Sequence, residues 1–165
     1  MGEYYERASD YDLEYQSQTE QDVPFWCELV MRYTPQRVLE LACGSGRIGI
    51  ELLHSTGNFQ LEGLDISSEM LGAYQRKIAR EPETVQQRVT LHEAYMCNFQ
   101  LEQKGQFDLI FLPFNSIAHL YEIEQQLDTF KIPMTISHPM DGSWSISSVR
   151  KVAQRVIANN TKLRS

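Results

Sequence analysis

Apolar and polar positions alternate between two periods along most of the chain. Val23, Trp26, Cys27 and Val30 fall at i, i+3, i+4 and i+7, the spacing of one helix face. Asp22 is placed to cap that helix, with Pro24 tolerated in its first turn and Pro35 marking its end. Arg37 to Leu41 reads as a short strand, followed by Gly44-Ser45-Gly46 and a helix carrying Ile48, Leu52 and Leu53. Gly57-Asn58 turns the chain into a second strand, Phe59 to Asp65. Ser67 or Ser68 then caps a helix whose stripe is Met70, Leu71, Tyr74 and Ile78. Val89 to His92 fits a third strand and Phe107 to Leu112 a fourth, buried one. Short helices near Ile117–Leu120 and over Ile123–Phe130 follow, whereas residues 1–20 are polar, tyrosine-rich and without firm period.

Strand and helix therefore take turns through residue 130, which predicts an α/β fold: a Rossmann-like, doubly wound, mostly parallel sheet with helices on both faces. Ligands in such sheets sit at the carboxyl ends of the strands, where strand order reverses, so the loops after the first, second and fourth strands are where function is expected. The 165 residues suit a single domain. Within it, 1–35 reads as a helical cap or lid, 36–130 as the ligand-binding core and 131–165 as an atypical basic tail.

Composition narrows the function classes. No apolar run exceeds the six residues Leu109 to Phe114, so no membrane span is expected, and the N-terminus lacks the pattern of a secretory signal. Cys27, Cys43 and Cys97 are widely spaced, which disfavours a disulfide framework or a metal site and suits a reducing cytoplasm. A net charge of −7 argues against general binding to nucleic acid or anionic membrane. That charge is uneven: residues 131–165 carry six basic groups and one acid, Asp141. Val149, Val152, Ala153 and Val156 there have helical spacing, and Met134–Ser137 and Ser143–Ser148 could form short strands. The basic helix is read as packing on the domain or on a second subunit of a homodimer, in preference to nucleic acid or membrane.

The segment LELACGSGRIG places Gly44, Gly46 and Gly49 in a G-x-G-x-x-G pattern, with Asp65 at the end of the next strand. In a strand–loop–helix setting the glycines let backbone approach a ligand closely, and the acid can accept ribose hydroxyls. Charge discriminates between nucleotides. A dinucleotide puts its pyrophosphate over the helix N-terminus, where Glu40 in the preceding strand is a poor neighbour. S-adenosylmethionine carries a sulfonium and an α-ammonium, and a carboxylate beside the loop favours it, directly or through water.

VLELACGSGRIGIELL, LEGLDIS at 61–67 and FDLIFLPFNSIAHL at 107–120 together resemble a class I S-adenosylmethionine-dependent methyltransferase, of the small-molecule, methyltransferase-25-like type. The resemblance covers roughly residues 20–130. It implies that Glu40, Ala42, Cys43, Gly44 and Gly46 line the methionine side of the cofactor. By the same resemblance Asp65 binds the ribose, with Ile66 and Met70 beside the adenine. Pro113-Phe114-Asn115-Ser116 would face the reactive methyl group, with Asn115 and His119 as the catalytic candidates. Two features depart from the family pattern. Tyr95 stands where an acid commonly holds the adenine amino group, leaving its ring and the backbone of Tyr95 and Met96 for the base. After Phe130 the usual Pro-Gly-Gly-like turn is missing, so the C-terminal part is atypical.

The expected chemistry is in-line methyl transfer to a small-molecule acceptor, needing alignment above all and a base only if the nucleophile arrives protonated. His119 is the nearest candidate base, and one of Tyr4, Tyr5, Tyr11 or Tyr15 is placed to close over the pocket. Two rival readings stand beside it. One is a nicotinamide-dependent oxidoreductase, supported by Gly49 and opposed by Glu40. The other is a degenerate or truncated methyltransferase-like binding module, supported by Tyr95 and the tail.

Overall fold

The computed structural model describes residues 8–99, 107–113 and 116–131. Four strands, β1 (Arg37–Leu41), β2 (Gln60–Asp65), β3 (Val89–Glu93) and β4 (Leu109–Phe111), form one parallel sheet in the order β3-β2-β1-β4. The chain runs outward from β1 through β2 to β3, then returns to the other side of β1 with β4. Strand order therefore reverses between β1 and β4, and the loops leaving these strands open onto the same crevice.

Register fixes which side chains share a face. Val38 and Glu40 stand beside Leu61 and Gly63, which stand beside Val89 and Leu91, with Leu109 and Phe111 on the far side of β1. Against this face pack α2 (Gln16–Tyr33) through Trp26, Cys27 and Val30, and α3 (Gly49–Ser55) through Leu52 and Leu53. The short α5 (Glu83–Gln86) adds Val85. Leu71, Tyr74 and Ile78 of α4 (Ser68–Ile78) complete it beside Val89 and Leu91. The opposite face carries Leu39, Leu41, Leu64 and Ile110, covered by Met96, Phe107 and Leu120. Two-sided burial explains the unbroken apolar run of β4 and the apolar Val38, Leu39 and Leu41 of β1, in which Glu40 is a buried ionisable exception.

Most expected elements form where their patterns lie; β1 spans the expected residues. Ser67 is the cap of α4, its hydroxyl accepting from the Met70 amide at 3.3 Å. Three expectations need correction. α2 starts at Gln16, seven residues before Val23, and Asp22 lies inside it, where its carboxylate sits 3.6 Å from the Arg47 guanidinium. Pro24 is therefore interior, and the carbonyl of Glu20 loses its helical donor. Both residues are exposed, so water can satisfy that group. A further helix, α1 (Ala8–Glu14), precedes α2 in the stretch expected to lack a period. β4 is three residues long, because it pairs only with Val38 to Glu40 of β1; Phe107 and Leu112 flank it. The segment after β4 forms a 3-10 turn, Ser116–His119, and then α6 (Ile123–Lys131). The expected strands and helix of the tail lie outside the described residues, as do Tyr4, Tyr5, Phe114 and Asn115.

Candidate functional site

The chain leaves β1 in a conformation that side chains rarely adopt. Ala42, Gly44 and Gly46 take positive φ of 53°, 55° and 78°, so every second residue of the loop is left-handed. The loop is pinned from below: the Cys43 amide donates to the Leu64 carbonyl, and the Gly46 amide to the Cys43 carbonyl. Asp65 pins it from the side. Its Oδ2 accepts from the Gly44 amide at 2.8 Å, and its Oδ1 from the Ser67 amide at 2.9 Å. Burial nevertheless raises its carboxyl above the ordinary value, opposed by these amides, that of Ile66 and the charge of His119. Each oxygen keeps a lone pair for a further donor such as a ribose hydroxyl.

Two glycines are required by close approach. A Cβ on Gly46 would run into the ring of Tyr74, which lies beneath the loop. A Cβ on Gly49 would fall 2.6 Å from Glu40 Oε2 and 2.8 Å from Leu61, and against the Tyr74 hydroxyl. Gly49 thus serves close helix–strand packing, the role of the third glycine in a G-x-G-x-x-G loop, so by itself it does not separate one nucleotide from another.

Glu40 is the electrostatic centre of the site. It is 1% exposed, and its Oε2 has no hydrogen-bond partner among the described residues. Burial pushes its carboxyl up to about 8, with Asp65 adding to the rise and the Arg47 charge opposing it. An acceptor without a partner beside the loop favours a cation, whose charge draws the carboxyl into its ionised form, whereas a phosphate would hold it protonated.

The other expected site residues divide into two groups. Ala42, Tyr95 and Met96 pack together on the second face with Leu112 and Ile117, which were not expected there, so the loops after β1, β3 and β4 converge. Pro113 is buried at the end of β4, Ile66 is exposed beside Asp65, and His119 is exposed and close enough for its charge to act on Asp65. Cys43 and Met70, by contrast, turn inward. Cys43 packs with Leu71 and Tyr74, leaving only its backbone on the loop, and Met70 is buried with Ala73 beneath Tyr11.

Sequence reasoning missed what α1 and α2 do to this loop. The Ser45 hydroxyl donates to Asp12 of α1, and Asp12 also pairs with Lys77 of α4 at 2.6 Å. Arg47 donates to the Thr19 hydroxyl at 2.8 Å. The polar, unperiodic N-terminal segment is thereby tied across the glycine loop. No signal in the sequence links Asp12 to residues more than thirty positions away. Among the described residues there is no cluster fit to hold a metal ion, and no helix long and apolar enough to cross a membrane.

Comparison with known proteins agrees with this geometry. The family profile for a methyltransferase domain matches residues 38–131. YqeM of Bacillus subtilis (strain 168), named as a methyltransferase, is 30% identical over 116 residues, 69% of this chain and 44% of its own length. Among solved structures, the glycopeptide N-methyltransferase MtfA complexed with S-adenosyl-L-methionine superposes with a TM-score of 0.51 at 29% identity, over 57% of this chain and 39% of that one. The methyltransferase domain of bacterial CtHen1 matches in fold, with a TM-score of 0.60 at 22% identity over 68% of this chain and 57% of its own. The chain thus spans less than half the length of YqeM and of MtfA. With a glycine loop of this geometry, an acid at the end of β2 and a profile match across the whole sheet, the chain belongs to the methyltransferase domain family, of the class I S-adenosylmethionine-dependent type.

Proposed function

We propose that this chain binds S-adenosylmethionine at the carboxyl ends of β1 and β2 and transfers its methyl group to a small-molecule acceptor. The observation that carries the reading is the vacant, fully buried Oε2 of Glu40 under the glycine loop. The bound donor supplies an electrophilic methyl group on a positively charged sulfur.

The chain's own residues hold and orient. Glu40 provides negative charge under the loop for the α-ammonium end, assisted by the backbone of Ala42, Cys43, Gly44 and Gly46. Asp65 offers its two remaining lone pairs to the ribose hydroxyls. Ile66 forms an apolar wall for the base, and Tyr95 and Met96 close the base side from the loop after β3, whereas Met70 packs inward beneath Tyr11. On the acceptor side, Pro113, Asn115 and His119 follow β4. His119 takes a proton when the acceptor arrives protonated. Holding the reactants in line can lower such a barrier by ~7–11 kcal/mol.

A small acceptor is supported by the net charge of −7, which is unsuited to a polyanionic substrate. Thermal-shift titration tests the reading. A ligand at 100 times its Kd adds ~2.7 kcal/mol, so S-adenosylhomocysteine is expected to raise Tm and NAD is not. A shift with NAD alone would instead identify the oxidoreductase, and no shift with either a binding module without cofactor.

A further inference from the structure

Two buried side-chain polar atoms lack a partner among the described residues: Oε2 of Glu40 and the hydroxyl of Tyr74. They are complementary, since a tyrosine hydroxyl donates and a carboxylate accepts. They are also adjacent. Both lie within 2.6 Å of the point that a Cβ on Gly49 would occupy, so at most about 5 Å separates them. Tyr74 is 0% exposed, and a phenylalanine would fill the same apolar space between Ile50, Leu71 and Ile78 without burying a hydroxyl. An unused hydroxyl there costs ~1–3 kcal/mol of desolvation.

We propose that Tyr74 is a positioning residue for the cofactor's cationic end: its hydroxyl donates to Oε2 of Glu40 when that carboxylate is ionised and fixes it beneath the glycine loop. The inference rests on the reading that Glu40 serves the α-ammonium. Three features of the site support it. Burial raises the Tyr74 hydroxyl well above its ordinary range, so it keeps its proton and remains a donor. The absence of a Cβ on Gly49 leaves the two groups free to meet. The Tyr74 ring also lies directly under Gly46, so the same side chain supports the loop and would orient the acid. The other titratable groups acting on Glu40 are Arg47 and Cys43 from the loop and Asp65 from β2. None of these is a partner of Oε2.

The test compares S-adenosylhomocysteine affinity by calorimetry in wild type, Tyr74→Phe and Glu40→Gln across pH. A donor to the ionised carboxylate favours that form, so losing it makes the carboxyl harder to ionise. Tyr74→Phe is therefore expected to bind several-fold more weakly at pH 7, with the gap closing toward pH 8.5 as the carboxyl of the variant ionises. A loss equal at every pH reveals packing alone and overturns the inference. Unchanged affinity in Tyr74→Phe with weakened binding in Glu40→Gln overturns the inference and leaves the function reading standing. Unchanged affinity in Glu40→Gln removes that reading of Glu40 and the inference with it. Should Tyr74→Phe fail to fold, the complex of the wild type decides: a slowly exchanging Tyr74 hydroxyl proton above pH 8 is expected, and its absence contradicts the pairing.

Discussion

The two sides of the crevice are built differently. On the β1–β2 side, Gly44 and Ser67 hold Asp65, Tyr74 underlies Gly46, and Asp12, Lys77 and Thr19 tie Ser45 and Arg47 down. On the β4 side the strand is three residues long, a single 3-10 turn follows, and His119 is exposed. α6 presents Ile123 and Leu127 to solvent beside an exposed Tyr121. A rigid half suits a ligand that never changes, and an open half suits an acceptor chosen by variable loops.

If that contrast is right, damage to the first half should cost both stability and cofactor affinity. The largest effect is expected from Gly46→Ala, which forces a side chain into φ 78° and into the Tyr74 ring. A loss of ~2–4 kcal/mol in chemical denaturation is expected, since overpacking and left-handed strain add. Asp65→Ala removes the acceptor of the Gly44 and Ser67 amides as well as the ribose contact, and should weaken S-adenosylhomocysteine by at least tenfold in calorimetry. Unchanged affinity would take Asp65 out of the site.

Glu40→Gln sharpens the comparison by separating stability from binding. The Glu40 carboxyl rises from 4.5 to about 8 in the folded chain. The folded state then holds a proton that the unfolded chain releases, so this group's contribution to stability falls as pH rises from about 4.5 through 8. Glutamine has no such proton. Glu40→Gln should therefore melt several degrees higher than wild type at pH 8.5, with the gap closing toward pH 5, while binding the cofactor product more weakly. A lower Tm at pH 8.5 would show that the carboxylate is stabilised by partners the fold does not provide. The smallest effect is expected from Asp12→Ala, which releases α1 from Ser45 and Lys77. These partly exposed contacts are worth ~1 kcal/mol or less, so Tm should barely move while S-adenosylhomocysteine dissociates several-fold faster in stopped flow.

The same contrast explains how much was legible in the sequence. β1 is buried on both faces and flanked by turn residues, so its residues announce their structure. Asp65 could be found because spacing alone brings the end of β2 to the glycine loop. α2 misled because Asp22 and Pro24 imitate a helix start. The real N-terminal turns are polar and gain their stability through Thr19, Asp22 and the loop residue Arg47. Tyr74 was legible as part of an apolar stripe, yet its hydroxyl could be matched to Glu40 only once α4 was folded against α3. Local periodicity records burial; it does not record which buried polar atoms face one another.

The account stands most directly on where ligands act along the backbone. Amide spectra of the full chain should be followed during titration with S-adenosylhomocysteine and, separately, with NAD. The resonances of Gly44, Gly46, Asp65 and Ile66 are expected to move with the first ligand and stay still with the second. Movement of those amides with NAD alone, or none with S-adenosylhomocysteine at saturating concentration, would contradict a crevice built for a cationic methyl donor.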